Sequence, residues 1–285
     1  MGDVLAVIGG SGLYSVDDMT DIEEVVVDTP YGAPSDAVIR GTLKESGAPM
    51  MFLPRHGRGH RYSPSQINYR ANICALKKLG ATHVLSVSAV GSMKEEIAPG
   101  DLVVVDQFID LTKRRTSTFF EDGIVGHVAF ADPVCPILAA ATYEAAAASG
   151  ARAHKGGTYV CIEGPQFSTR AESLVYRSWG VSVIGMTNMP EAKLAREAEL
   201  PYATLALSTD YDCWHHSEEA VTVEMVIATL SKNVQFAREV AKRLASKLPD
   251  VSKSIAKGAL QSAVMTAPDR ITREARERLA WLLPQ

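Results

Sequence analysis

At 285 residues, with 46% apolar and 22% charged side chains, the chain has the composition of a globular protein and the length of one large domain or two small ones. Its 29 Lys and Arg against 33 Asp and Glu leave a formal charge of -4, so no overall positive field exists to gather nucleic acid or an anionic membrane. No run of about 18 apolar residues is present to span a bilayer. Four cysteines, at 74, 135, 161 and 213, lack CxxC spacing and read as reduced thiols in a cytosol rather than a zinc or disulfide framework.

Met1-Gly2-Asp3 leads directly into the apolar Val4 to Ile8, a strand signal without the basic start and cleavage site of a secretory leader. Ala6 spoils a myristoylation motif. Gly9-Gly10-Ser11-Gly12 follows that strand, and the apolar Met50 to Leu53 precedes Arg55-His56-Gly57-Arg58-Gly59-His60-Arg61. A helix is expected to open at Ser63-Pro64-Ser65-Gln66, which reads as a capping box, and to end at Gly80 with a left-handed cap. Buried strands are expected at Val84 to Ser88, Leu102 to Val105, Tyr159 to Ile162, Val181 to Ile184 and Tyr202 to Leu207. The stretch 106–133 has poor periodicity and reads as loop.

Further helices are expected from Thr169-Arg170-Ala171-Glu172 to Gly180, from Asn188-Met189-Pro190-Glu191, and from Thr222 onward with Val223, Val226, Ile227, Leu230 and Val234 on one stripe. From about residue 251 a helical tail carries Ile271, Ala275, Leu279 and Leu282 at amphipathic spacing, and is expected to dock on a neighbouring copy. No repeat or domain linker interrupts the chain, so residues 1–285 read as one α/β domain, with a mixed, largely parallel twisted sheet flanked by helices.

In such sheets ligands gather beyond the carboxyl ends of the strands, so the residues after each apolar run are the candidates. Gly9-Gly10-Ser11-Gly12 suits close approach to an anion but equally suits a plain tight turn. Ser15 stands where a dinucleotide fingerprint needs its third glycine, and no Gly-Lys-Ser/Thr ending makes it a P-loop. Arg55 and His56 offer a bidentate fork and a ring nitrogen to an anion, whereas His60 and Arg61 read as solvated loop. Arg-His-Gly also opens histidine phosphatases, but there it sits on the first strand. Glu163-Gly164-Pro165-Gln166-Phe167-Ser168 joins a turn to an aromatic ring, which suits stacking on a flat ligand or plain core packing. Asp210-Tyr211-Asp212 places two carboxylates on one side of an extended chain, and Cys213-Trp214 favours their burial over an acidic turn. The remaining histidines have no metal-ligand spacing, so no metal is assigned.

Together these segments resemble the trimeric purine nucleoside phosphorylase family, most closely its branch acting on 5'-methylthioadenosine. The resemblance rests on Ile8-Gly9-Gly10-Ser11-Gly12-Leu13-Tyr14, Arg55-His56-Gly57-Arg58, Asn68-Tyr69-Arg70-Ala71-Asn72, Ile162 to Ser168, Gly185-Met186-Thr187 and Thr209 to Trp214. It implies phosphorolysis in the cytoplasm by a homotrimer or hexamer, with a small-molecule nucleoside and phosphate as substrates and neither cofactor nor metal. Phosphate would be bound by Ser11, Arg55, His56, Ser88, the backbone of Ala89 and Thr187, and Met186 would pack under the ribose. Phe167 and Ser168 would meet the purine, Asp210 would serve N7 as the catalytic group, and Asp212 would serve the 6-amino group. Val223, Val226 and Ile227 would line the 5'-methylthio pocket, with His127 reaching in from a neighbouring subunit.

The chemistry of bond cleavage fits that carry-over, because charge builds on the departing purine while the ribose turns cationic. An aspartate at its ordinary pKa of about 3.9 would be protonated in only about one part in a thousand at pH 7, so a donor to N7 needs roughly 3 units of upward shift, or about 4 kcal/mol. The resemblance also implies a 6-aminopurine carrying a 5'-thioether, because the branches acting on inosine and guanosine have asparagine where Asp210 stands, glutamate where Ser168 stands and a polar residue where Val223 stands. A preference for 5'-methylthioinosine, inosine or guanosine is the alternative reading, followed by a hydrolytic nucleosidase and a non-catalytic nucleoside-binding protein. Gly185 replaces a frequent asparagine of the animal enzymes, and Ser11 and Ser88 replace frequent threonines.

Overall fold

A computed structural model describes residues 2–10, 12–13, 18–215 and 223–283, with the backbone alone at 223–228 and 230. Among these residues eleven strands form one sheet: β1 (Leu5–Gly9), β2 (Met19–Val25), β3 (Val38–Leu43), β4 (Pro49–Pro54), β5 (His83–Ser92), β6 (Leu102–Val105), β7 (Gln107–Asp110), β8 (Ala153–Lys155), β9 (Thr158–Cys161), β10 (Val183–Gly185) and β11 (Tyr202–Asp210). Six helices accompany them: α1 (Tyr69–Lys78), α2 (Pro136–Ala147), α3 (Arg170–Ser178), α4 (Asn188–Glu197), α5 (Val223–Ser246) and α6 (Arg273–Leu279).

β1 shows why the sheet lies between helices. All five of its residues are buried, and alternate side chains feed opposite faces. Leu5 and Val7 join Leu138 of α2 and Val240 and Leu244 of α5, while Ala6 and Ile8 join Ile73 and Leu76 of α1 and Leu194 of α4. Burying each such aliphatic side chain contributes about 1.5–3 kcal/mol, which is why a continuous apolar run is stable as a strand here.

The main path runs β2-β3-β4-β1-β5-β10-β9-β7, and β11 carries β6 and β8 on a second branch. β5 is the junction: it pairs in parallel with β1 and β11, and antiparallel with β10 through Val183 opposite Ser92 and Ile184 opposite Gly91. Because β10 runs back along β5, the segment after Gly185 returns to the middle of β5 beside Ser88. That reversal sets the site.

Three expectations change, and α2 has no counterpart among the expected elements. The Ser63 to Gln66 box closes a turn in which Ser63 N donates to Gln66 Oε1, and the helix starts at Tyr69, capped by Asn68, whose side chain accepts the Ala71 N–H. The stretch 106–133 opens with β7, which pairs with β9 in parallel. α2 carries no strong apolar stripe, because alanine fills most of its faces and periodicity cannot mark it. The tail runs through turns from 252 to 263 and becomes α-helical only at Arg273, and it packs on its own chain: Ala275 and Leu279 are fully buried, and Trp281 meets Phe119 and Tyr31 edge-on at centroid distances of 5.0 and 6.3 Å. By contrast, α3 has the expected reciprocal capping box between Thr169 and Glu172, and Gly80 and Gly180 take the positive φ that ends α1 and α3.

Candidate active site

The candidate residues follow the carboxyl ends of β4, β1, β11, β10 and β9 and lie in the middle of β5, where the antiparallel β10 brings the segment after Gly185 beside Ser88. The backbone N–H of Arg55 donates to the Gly9 carbonyl at 2.9 Å, tying the basic segment to the glycine turn.

One end of the site is built from hydroxyls. Ser88 Oγ lies 3.1 Å from Thr187 Oγ1 and 3.2 Å from the hydroxyl of Tyr159, and all three residues are buried. Ala89 and Met186 beside them are half-buried. Met186 packs against Gly164, where a Cβ would stand 2.5 Å from its sulfur. Thus glycine at 164, in a positive-φ conformation, lets the segment after β9 close over the segment after β10.

Arg55 is 2% exposed and sits beneath this end. Its Nε and Nη2 donate to the Glu191 carboxylate at 2.8 and 3.0 Å, Nη2 also meets the Ile8 carbonyl and Ser86 Oγ, and Nη1 donates to the Val87 carbonyl at 2.8 Å. Glu191 in turn accepts from Ser86 Oγ and the Tyr202 hydroxyl. Four of the five guanidinium hydrogens therefore have protein acceptors among the described residues, and one on Nη1 is left for a ligand. Arg55 is thus first of all one half of a buried ion pair. The paired carboxylate outweighs burial and keeps the guanidinium charged.

His56 packs its ring on His60 at 4.1 Å, and its Nδ1 lies 2.8 Å from the Tyr62 carbonyl. A carbonyl only accepts, so Nδ1 carries the proton and Nε2 is the free nitrogen of the neutral ring. Burial first, then the Arg55, His60 and Arg115 charges, push its pKa down to about 4.

The other end is acidic and more open. Asp210 closes β11 and is 8% exposed; its Oδ2 accepts from Thr209 Oγ1 at 2.7 Å and its Oδ1 from the Asp212 N–H at 2.8 Å. Asp212 takes a positive φ of 53°, which aspartate tolerates better than most residues, and this turns both carboxylates into one region. Burial raises the Asp212 pKa against the opposing hydrogen bond from Ser173 Oγ. Cys213 Sγ reaches the Ser168 carbonyl at 3.5 Å, joining this pair to the segment after β9. Ser168 Oγ is buried without a partner among the described residues, and Phe167 is 52% exposed, an open face for a flat ring.

Ser11 lies outside the described residues, and so do the side chains of Val223, Val226 and Ile227, whose backbone forms the start of α5. His127 is exposed, away from these clusters, and its N–H donates to the Ala263 carbonyl of the tail. Three organising residues escaped the sequence reading: Glu191, Tyr159 and Arg115. Arg115, with a side chain 1% exposed, donates from Nη1 to the Met186 and Met189 carbonyls, both at 2.6 Å, and from Nη2 to the Glu163 carbonyl at 2.7 Å. It clamps the two segments that flank the site. Glu163 is partly buried, yet the Ser65 hydroxyl, the Lys113 and Arg114 N–H groups and the Arg115 charge hold its pKa below the usual range.

Residues 4–246 match the family model described as the phosphorylase superfamily. Over 284 residues, 99% of both chains, the sequence is 54% identical to an S-methyl-5'-thioadenosine phosphorylase of Geobacter sulfurreducens. Among solved structures it is similar to a methylthioadenosine phosphorylase from an antarctic soil metagenomic library, with TM-score 0.92 and 51% identity over 98% of each chain. It is also similar to the methylthioadenosine phosphorylase of Schistosoma mansoni in complex with adenine, with TM-score 0.86 and 36% identity over 92% of this chain and 99% of that one.

Proposed function

The chain belongs to the phosphorylase superfamily, and from that premise we propose how its residues divide the work of the reaction. The enzyme is a pentosyltransferase that cleaves 5'-methylthioadenosine with phosphate to adenine and 5-methylthioribose 1-phosphate, in purine and methionine salvage. One observation carries the reading: in a chain 54% identical to a relative of that name, a buried hydroxyl pair stands on β5 and just after β10, and a buried carboxylate pair stands at the end of β11, which pairs with β5.

Phosphate is held by the Ser88 and Thr187 hydroxyls, the Ala89 backbone, the spare Arg55 hydrogen and His56, with Ser11 added by resemblance. One of its oxygens bonds to C1' as the bond from C1' to N9 breaks, and the electron pair of that bond passes to the purine. Asp210 hydrogen-bonds N7 and supplies the proton the departing base needs, so it is the catalytic group. Asp212 accepts from the 6-amino group, with Ser168 and Phe167 around the ring and Met186 under the ribose. Val223, Val226 and Ile227 form the 5'-methylthio pocket. Phosphate is then both nucleophile and electrostatic partner of the cationic ribose, and no cofactor or metal has a task.

We read residues 1–285 as one phosphorylase domain with a tail from about 251 that ends in α6, supported by core residues from Ala6 to Leu279 in a single cluster. We read the assembly as a homotrimer or hexamer, supported by exposed Val125 and Met265 near His127, apolar surface that a second subunit would cover. No helix of the described residues is long and apolar enough to cross a membrane, and cytoplasmic residence is our reading.

The test is chromatographic: free base released from 5'-methylthioadenosine, 5'-methylthioinosine and inosine, each with and without phosphate. Phosphate-dependent adenine release with inosine inert is expected. Release without phosphate would make the enzyme a hydrolase, and preference for a 6-oxopurine would overturn the roles given to Asp210 and Asp212.

A further inference from the structure

Tyr159 lies in β9 with no exposed surface, yet its hydroxyl stands 3.2 Å from Ser88 Oγ and 3.5 Å from the backbone nitrogen of Thr187. Room for it exists because residue 185 is glycine: a Cβ there would stand 2.0 Å from the Tyr159 oxygen and 2.6 Å from Cζ. Neither residue has a role in the division of work above.

A hydroxyl can donate or accept, and when Ser88 and Thr187 bond to each other one of their two protons is spent on the partner, so the pair offers an anion one donor and not two. An anion needs donors. The Thr187 N–H can only donate, so the phenol accepts there, and its own proton is left for Ser88 Oγ, its remaining partner among the described residues. Once Ser88 accepts from Tyr159, its proton is free for Thr187 Oγ1, for the Ala89 carbonyl at 3.3 Å, or for a bound anion. A charged acceptor wins over that long carbonyl contact. We propose that Tyr159 is a positioning residue of the anion site: by donating to Ser88 it turns the Ser88 and Thr187 hydroxyls outward as donors to phosphate, and Gly185 is the vacancy that admits it. The inference rests on the phosphorolysis reading. Burial raises the phenol pKa, so the donor keeps its proton.

Steady-state adenine release from 5'-methylthioadenosine, with each substrate varied in turn, tests it. Tyr159→Phe should raise KM for phosphate about tenfold, the worth of one hydrogen bond, while KM for the nucleoside holds. Because Tyr159 acts through Ser88, the same substitution in a Ser88→Ala background should add no further rise. Gly185→Ala, which drives the hydroxyl off Ser88 without deleting it, is the second route and should show the same phosphate-selective loss. An unchanged KM for phosphate, equal rises for both substrates, or full additivity with Ser88→Ala would overturn the inference. Release by the unmodified enzyme without phosphate would instead remove the phosphorolysis reading, whatever Tyr159 does.

Discussion

The two ends of the site are built on opposite plans. The phosphate end is enclosed: Arg55, Ser88, Tyr159, Thr187 and Glu191 are all buried, and nearly every polar atom is matched by another from a different strand or helix. The purine end has two fixed carboxylates but an open wall, since Phe167 is half-exposed and in α3 only Ser173 is buried. In the proposed reading, the small anion would be met by geometry set in advance and the larger base by a more open surface. Damage at the first end should therefore appear as lost stability together with lost phosphate affinity, and damage at the second as lost turnover or nucleoside affinity in a well-folded protein.

The largest effect expected is Asp210→Ala, which removes the group proposed above to protonate the leaving base. Rapid-quench and steady-state rates should fall by about 10²–10⁴ in kcat with little change in nucleoside binding. Equal losses in both would place Asp210 among binding groups. Next comes Arg55→Ala, which strands the Glu191 carboxylate in the interior. Urea unfolding should show a loss of about 3–5 kcal/mol, and a variant of normal stability whose phosphate KM alone rises would collapse the distinction between the two ends.

His56 gives a smaller, pH-dependent effect. Its folded-state pKa is about 4, against about 6.5 unfolded, so the unfolded chain holds the extra proton between those values. The stabilisation is complete above pH 6.5 and is lost as pH falls toward 4, and His56→Gln should flatten that limb of the melting curve by about 1–3 kcal/mol. An unaltered acid limb would show that other groups govern it. Smallest is Phe167→Ala: stability should change by less than about 0.5 kcal/mol, and KM for the nucleoside should rise by the equivalent of about 0.5–1.5 kcal/mol. A loss of stability comparable to that of Arg55→Ala would mean that Phe167 is core after all.

How much could be read in the chain beforehand follows the same division. Strands buried on both faces, such as β1, β6 and β11, announce themselves as continuous apolar runs. The edge strand β2 is exposed at five consecutive positions and has no such signal, and α2 hides its helix in alanines. Asp210, Asp212, Ser88 and Thr187 follow apolar runs and could be picked out from position alone. Glu191 and Arg115 could not. Arg55 and Glu191 are 136 positions apart, and Arg115 sits in a stretch without periodicity and reaches its carbonyl partners only once three segments have folded. Tyr159 reads as one more strand residue until Gly185 is placed beside it.

The junction made by β5 has a consequence for the order in which the protein is made. Residues 83–92 need β1 from the first ten residues, but also β10 at 183–185 and β11 at 202–210. During synthesis β5 leaves the ribosome with one edge covered and the other bare until more than a hundred further residues have emerged. A nascent chain in that interval presents an apolar strand edge to its surroundings, which makes it a natural client for chaperones and a hazard on crowded polysomes.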